Sequence, residues 1–191
     1  MEMDMIKVIR ILICLGLIAS VFSCKKKWPE GLSDHLISIM ENYDLYRLED
    51  ENTDGQSPLH IAAAFGTSQE LIVVLENQPE VNVNQQDNYG CTPLLFVLKS
   101  CIGNGYCLTE DNNAEGIDNL KNIGILVEKG ADLNYRTTDG KTALTLAQEL
   151  CDKFNRLIET SANAQQLQEN MAYYQRAEKI LNYIRENGGH N

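Results

Sequence analysis

This chain of 191 residues lacks the parts from which most hydrolases and metal sites are built. Neither His-Glu-x-x-His nor Gly-x-Ser-x-Gly occurs, and the three histidines, His35, His60 and His190, are scattered. Metal-assisted hydrolysis and serine acyl transfer therefore have no constellation to work with. The cysteines include no Cys-x-x-Cys pair, so the usual spacing of a zinc site is missing. Cations are scarce as well: 16 Lys and Arg face 27 Asp and Glu, for a formal charge of -11. That balance argues against nucleic acid, which is held by clustered Lys and Arg, and suits a basic partner. The apolar stretch from Ile11 to Phe22 has 12 residues, short of the roughly 20 that a membrane-spanning helix needs. With 43% hydrophobic residues, the length allows one ordinary domain with a core of its own.

The first residues form a separate object. Lys7 and Arg10 precede the apolar stretch, which has the length of a signal h-region. It runs into Ser-Val-Phe-Ser-Cys, and a cysteine at such a point resembles the lipobox of bacterial lipoproteins. Val21 and Ser23 suit that pattern, while Phe22 is larger than usual there. The resemblance implies a signal peptide over 1–23, a lipid on Cys24, and a tether over 24–33 that begins with Lys25, Lys26 and Lys27. An uncleaved anchor, or an ordinary secretory signal ending nearby, is the other reading. Glu2 and Asp4 cancel Lys7 and Arg10, which points to a translation start at Met5.

Aligning Gly55, Gly90 and Gly140 exposes an internal repeat: DGQSPLHIAA, YGCTPLLFVL and DGKTALTLAQ. Ser57, Thr92 and Thr142 stand where an N-cap hydroxyl accepts a backbone N–H, and Pro58 and Pro93 follow at the first helical position. Leu59, Leu94 and Leu144 are the first core residues, Ala62 and Ala63 allow close helix packing, and Gly66 is placed to end its helix in a left-handed conformation. Each copy is followed by a second apolar helix, within ELIVVL, NIGILVEKGADLN and KILNYIRENGG.

The Gly-x-Ser/Thr-Pro/Ala-Leu pattern, with His60 after the first Leu, resembles the Thr-Pro-Leu-His signature of ankyrin repeats over roughly residues 34–190. The resemblance implies an all-α solenoid of stacked helix-turn-helix pairs that binds proteins without chemistry and needs no cofactor. It also makes His60 a bridge to backbone between repeats rather than a catalytic base. The expected units are a partial cap over 34–52, where Leu36, Ile37, Met40 and Tyr43 have helical spacing, and repeats at about 53–86, 87–136 and 137–190. Repeat spacing departs from the family's length of about 33, being 35 between the first two glycines and 50 between the next. The excess falls in a polar insertion at 102–118. Apolar positions from Leu144 to Ile158 and from Leu167 to Ile184 predict a long C-terminal helical hairpin turning near 160–164, which either seals the stack or docks a partner.

Cys14 falls within the signal and Cys24 carries the lipid, which leaves Cys91, Cys101, Cys107 and Cys151. Pairing is expected in an exported chain. Cys101 and Cys151 both lie eleven residues after their repeat glycines, on helices packed about 8–10 Å apart, beyond the roughly 7 Å that a disulfide spans. Cys107 on the insertion reaches either, so Cys101–Cys107 comes first and Cys107–Cys151 second, with a fully reduced set as the alternative. The Asp-Gly-Lys-Thr at 139–142 ends like a phosphate loop but has Tyr135 where a glycine is required. The segment from Asp111 resembles a calcium loop, with Asp111, Asn113, Glu115 and Gly116 in register, yet Asn122 replaces the closing glutamate.

The ankyrin resemblance places recognition on the finger-like turns, here Tyr46, Arg47, Asn88, Tyr89, Tyr135, Arg136, Thr138 and Asp139. Tyrosines and arginines offer large contact area with polar handles. The functional expectation is a protein-interaction scaffold, lipid-anchored to a bacterial membrane and facing the periplasm or cell surface. The alternative is an inhibitor or immunity protein that masks a basic toxin or hydrolase.

Overall fold

Each repeated Ser/Thr-Pro/Ala-Leu segment starts a capped helix, and the computed structural model, which describes residues 28–78, 80–104 and 118–191, contains seven helices among these residues. They are α1 (Asp34–Asn42), α2 (Pro58–Phe65), α3 (Ser68–Asn77), α4 (Pro93–Asn104), α5 (Asn119–Glu128), α6 (Ala143–Glu159) and α7 (Ala164–Glu186). No strand occurs among the described residues. Helices α2, α4 and α6, which carry the repeated motif, pack in sequence as an inner row, and α3 packs on α5 in the outer row. The architecture is the all-α ankyrin-repeat solenoid that the resemblance implies. One apolar core runs from Leu36 to Ile184. Helix α2 sits deepest, with every residue buried except Phe65, because Ala62, Ala63 and Ala64 let neighbouring backbones approach.

The helix starts follow the sequence with one modification. Thr92 and Thr142 accept from the N–H groups of Leu95 and Thr145, both at 3.4 Å. At the first repeat the reciprocal arm comes from His60, whose Nδ1 accepts from Ser57 N–H at 3.1 Å. Gly66 departs from expectation: its φ of -86° and ψ of 155° are extended, not left-handed. Glycine is needed there for closeness, since a Cβ would lie 2.6 Å from the Ala62 carbonyl oxygen and 3.1 Å from Leu36 Cδ2.

Glu70 fastens the cap to the stack. Its carboxylate takes Thr67 N–H on its own helix at 2.8 Å, completing a capping box, and takes the N–H and hydroxyl of Ser33 at 2.8 and 2.6 Å. Burial pushes the Glu70 pKa up, but these donors outweigh it and hold the group below its ordinary 4.5. Trp28 and Leu32 already pack against the core. The chain is thus seated on the solenoid six residues before the expected boundary at 34, because an indole and a leucine gain more from burial than a tether would allow. The signal segment, Cys24 and Lys25 to Lys27 lie outside the described residues.

Helix α4 runs to Asn104, two residues past the expected start of the insertion at 102. The rest of that insertion, including Cys107 and most of the calcium-like segment, lies outside the described residues. Asn122, which breaks the calcium-loop pattern in place of its closing glutamate, is a core bracket on α5. Its Nδ2 donates to the carbonyls of Ala63 and Gly66 at 3.1 and 2.9 Å, and its Oδ1 accepts from Ser68 Oγ at 2.8 Å. The turn between α2 and α3 is thereby satisfied by the next repeat.

The C-terminal hairpin forms as the periodicity predicts, with α6 of 17 residues, α7 of 23 and a turn at 160–163. Asn170 Nδ2 clamps that turn by donating to the Leu157 carbonyl and Ser161 Oγ, both at 3.0 Å. The segment after α7 docks as an ordinary inter-repeat loop would. Asn84 donates to Gly130 O and accepts from Asp132 N–H, and Asn134 treats Gly188 O and His190 N–H in the same way.

Asn122→Ala leaves buried carbonyls and a hydroxyl without partners, so it is expected to lower unfolding free energy by about 2–4 kcal/mol. Urea titration followed by circular dichroism measures this; a loss below about 0.5 kcal/mol would contradict the bracket.

Candidate protein-binding face

Each finger is a tight turn closed by a polar side chain ahead of its glycine. Asn52 Oδ1 accepts from the N–H groups of Asp54 and Gln56 at 3.0 and 2.9 Å, and Asp87 Oδ1 accepts from Tyr89 and Cys91 at 2.9 and 2.8 Å. Thr137 Oγ1 accepts from Lys141 N–H at 3.0 Å and donates to Asp139 at 2.6 Å. The turns then bond to one another. Asn88 N–H donates to Asp54 O and Thr138 N–H to Tyr89 O, both at 2.9 Å. The side chains of Asn88 and Thr138 reinforce the row through Thr53 O at 2.9 Å and Tyr89 O at 3.1 Å.

The glycines make this row possible. Gly55, Gly90 and Gly140 have φ values of 75°, 71° and 80°, a region costly for residues with a Cβ. At Gly90 a Cβ would also lie 2.8 Å from Thr138 N, and at Gly55 2.9 Å from Asn88 Oδ1. Nothing stands within 4 Å of the corresponding position at Gly140, because no further finger follows among the described residues.

Of the residues expected to form the recognition face, the structure brings Asn88, Tyr89, Thr138 and Asp139 together on adjoining fingertips, beside Thr53 and Asp54. Tyr89 is half exposed, and its hydroxyl is 3.4 Å from Asp54 Oδ1. Tyr46 and Arg47 stand elsewhere, nine and eight residues ahead of Gly55 rather than at its turn. Their N–H groups bond Asp50, and the Arg47 guanidinium pairs with the same carboxylate at 3.0 Å. Tyr135 packs against the core at the base of the last finger, and Arg136 donates to Gly140 O at 3.0 Å, closing that finger from outside. The tip is set by the positive-φ glycine, so residues counted from the preceding helix fall short of it.

Sequence reasoning missed the charged residues beneath the tips. Asp139 is reached by Lys99 of α4 at 3.8 Å and by Lys141 at 3.5 Å, and Lys141 also pairs with Glu149 of α6 at 2.8 Å. The hydrogen bond from Thr137, helped by the two lysines, keeps the Asp139 carboxyl below its ordinary value. The repeat register contains this signal, since Lys99 and Glu149 each follow their repeat glycine by nine residues.

His60 supports the row from below. It is fully buried, its Nε2 meets the Cys91 carbonyl at 3.1 Å, and its ring packs edge-on against Phe96. Nδ1 accepts from Ser57, so Nε2 carries the proton and donates across the repeat junction. Burial pushes the ring's pKa below 6.5, and the Cys91 carbonyl with the Asp87 and Glu51 carboxylates offsets only part of this.

Cys91 and Cys151 are buried free thiols, each pushed up to about 11, chiefly by burial. Cys151 therefore takes no part in the second of the expected disulfides. Cys101 is buried and accepts from Asn119 Nδ2 at 3.7 Å, and its pairing with Cys107 lies outside the described residues. Among the described residues no group of three or more His, Cys, Asp or Glu is placed to hold a metal ion. No described helix is long and apolar enough to cross a membrane.

No family model matches the chain. It is similar to an E3 ubiquitin-protein ligase, KEG, of Arabidopsis thaliana, with 33% identity over 93 residues, and to the ANK repeat-containing protein nipk-1 of Caenorhabditis elegans, with 31% over 99 residues. These alignments take in 49% and 51% of this chain but only 5% and 15% of those proteins. The likeness to an ANK repeat-containing protein supports a protein-interaction role.

Gly90→Ala should destabilise the protein by about 1–2 kcal/mol more than Gly140→Ala, because both meet the same backbone strain but only one also meets a neighbouring finger. Equal urea midpoints for the two variants would contradict the ladder. Because the folded His60 pKa is depressed, the stability tied to its neutral form is complete above 6.5 and is lost as pH falls below that value. The expected slope is about 1.4 kcal/mol per pH unit for one proton, ahead of the loss from Glu70, which begins below 4.5. Unfolding titrations between pH 7 and 5 should show this slope in the wild type and not in His60→Leu.

Proposed function

We propose that this protein is a non-catalytic scaffold, exported and held on a bacterial membrane surface through a lipid on Cys24, that grips a protein partner along its row of fingertips. The observation that carries this reading is the ladder joining Thr53–Asp54, Asn88–Tyr89 and Thr138–Asp139. It presents polar tips and the Tyr89 ring on a backbone already fixed by hydrogen bonds. A surface ordered before the partner arrives loses little further entropy on binding, and an exposed tyrosine supplies an anchor. Lys99, Asp139, Lys141 and Glu149 beneath it neutralise one another, so this face suits a partner of mixed charge rather than a strongly basic one. The export signal and lipid rest on the N-terminal sequence alone.

The second reading, an inhibitor or immunity protein for a basic toxin or hydrolase, has its own support. Between Trp28 and Leu98 the sequence holds twelve Asp and Glu and a single basic residue, Arg47, which Asp50 occupies. A cleft of about 440 Å³ opens on this half, with Leu48 and Val81 between Glu49, Asp50, Glu51 and Glu80. A lysine or arginine entering it would meet the carboxylates of Glu49, Glu51 and Glu80, with Arg47 the one nearby cation and already held by Asp50.

One experiment separates the readings. The native protein is crosslinked in its own cells and captured beside Tyr89→Ala and a Glu49→Lys/Glu80→Lys variant. Loss of a single partner with Tyr89→Ala is expected for the scaffold, and loss with the charge-reversed pair is expected for the inhibitor. Capture of no specific partner by the wild type would refute both.

A further inference from the structure

Three large apolar side chains stand exposed among the described residues, and two of them, Leu167 at 38% and Met171 at 46%, share α7. Four residues apart, they lie on one helix face, and the half-buried Tyr174 continues it three residues on. This apolar stripe sits at the distal end of the hairpin, where the composition changes. From Thr160 to Gln175 the chain reads TSANAQQLQENMAYYQ, with six carboxamides and one charged residue, Glu169, although charged residues make up 23% of the whole. Glu169 itself is engaged, accepting from Gln165 at 3.1 Å.

We propose that this sparsely charged tip is the contact through which two copies of the chain associate, hairpin against hairpin, about a two-fold axis.

The argument for a second copy is electrostatic and chemical. A molecule of net charge -11 repels its own kind over most of its surface, so copies meet at the lowest cost where charge is absent. The α7 side of the tip is such a place, with no cation and one engaged carboxylate. Arg156 and Glu159, which end α6 beside it, are of opposite sign and so complementary across a two-fold axis. Carboxamides, unlike carboxylates, both donate and accept, so the exposed Gln168 and Gln175 suit a surface that is complementary to itself. An isologous contact requires that property. The apolar stripe supplies the area at its centre, and the Asn170 clamp on Leu157 O and Ser161 Oγ holds the two helices and their turn in one arrangement before association. Two such hairpins, packed at the usual helix separation of about 8–10 Å, form a four-helix contact. The fingertips are left open, so dimerisation and partner binding are independent.

The test is sedimentation velocity of the purified full chain over a concentration series, beside Leu167→Glu/Met171→Glu and Tyr89→Glu. The wild type and Tyr89→Glu should form dimers. The tip variant should bind itself about tenfold more weakly or worse, because each new carboxylate would have to be desolvated in an apolar contact. Raised salt, which screens the general repulsion, should strengthen the wild-type dimer. Both tip residues are exposed, so the variant's melting temperature should stay near that of the wild type. A wild type that remains monomeric at roughly 100 μM, or a tip variant that associates as the wild type does, would overturn the proposal; the latter would put self-association in another segment, the N-terminal apolar stretch included. As a check that does not depend on the double variant folding, Met171→Cys treated with a short bismaleimide should give covalent dimer above the wild-type background, and no gain over that background would equally refute it.

Discussion

Asn122 is fully buried, and both ends of its amide are spent on the repeat before it, on the carbonyls of Ala63 and Gly66 and the hydroxyl of Ser68. The solenoid depends on bonds of this kind. A helix pair of this length cannot bury its apolar face alone, so each repeat must lie tightly against the next. Tight packing strands the backbone groups of the turns at the junction, and an unpaired buried carbonyl costs about as much as the packing of a small side chain contributes. His60 resolves the same problem on the finger side through Cys91 O, and Glu70 resolves it at the cap through Ser33. Apolar burial and polar satisfaction are therefore one constraint, met repeat by repeat.

The fingers carry that constraint to the surface. Their turns are closed internally by Asn52, Asp87 and Thr137, and then joined by N–H bonds from Asn88 and Thr138. Three different residues do the closing, since each needs only an oxygen that reaches two residues or more along the chain. What is held rigid in this way can be varied outside: Asp54, Tyr89 and Asp139 occupy the same register at successive tips, an aromatic ring between two carboxylates. Charge is divided along the same axis, with Arg47 the single basic residue between Trp28 and Leu98 and the lysines Lys99 and Lys141 beneath the last finger. The two ends of the stack thus differ in surface charge.

Much of this was legible in the residues. The glycine register, the Ser/Thr-Pro/Ala-Leu helix starts and the two long apolar periodicities specify the helices, their order and the hairpin, because periodicity and capping are local properties that a sequence displays directly. The fingertip residues Asn88, Tyr89, Thr138 and Asp139 were legible by the same register. Tyr46 and Arg47 were misplaced because a residue's position on a turn is fixed by the left-handed glycine after it, not by distance from the helix before it. Gly66 shows a similar limit: its type declares a special position without saying whether the need is a backbone angle or a neighbour's closeness.

An all-helical stack of repeated pairs follows from the residues alone, because hydrophobic spacing and N-cap chemistry act within a few residues and need no partner from elsewhere. Which polar residues are structural is set by packing between repeats. Asn122 reads as part of a loop until α5 is laid against the α2–α3 turn, and Lys99, Lys141 and Glu149 read as separate surface charges until the last finger brings Asp139 between them. The reason is physical. A hydrogen bond or ion pair between residues dozens of positions apart leaves no periodic trace in the chain, and exists only once packing has brought its two ends within about 3–4 Å.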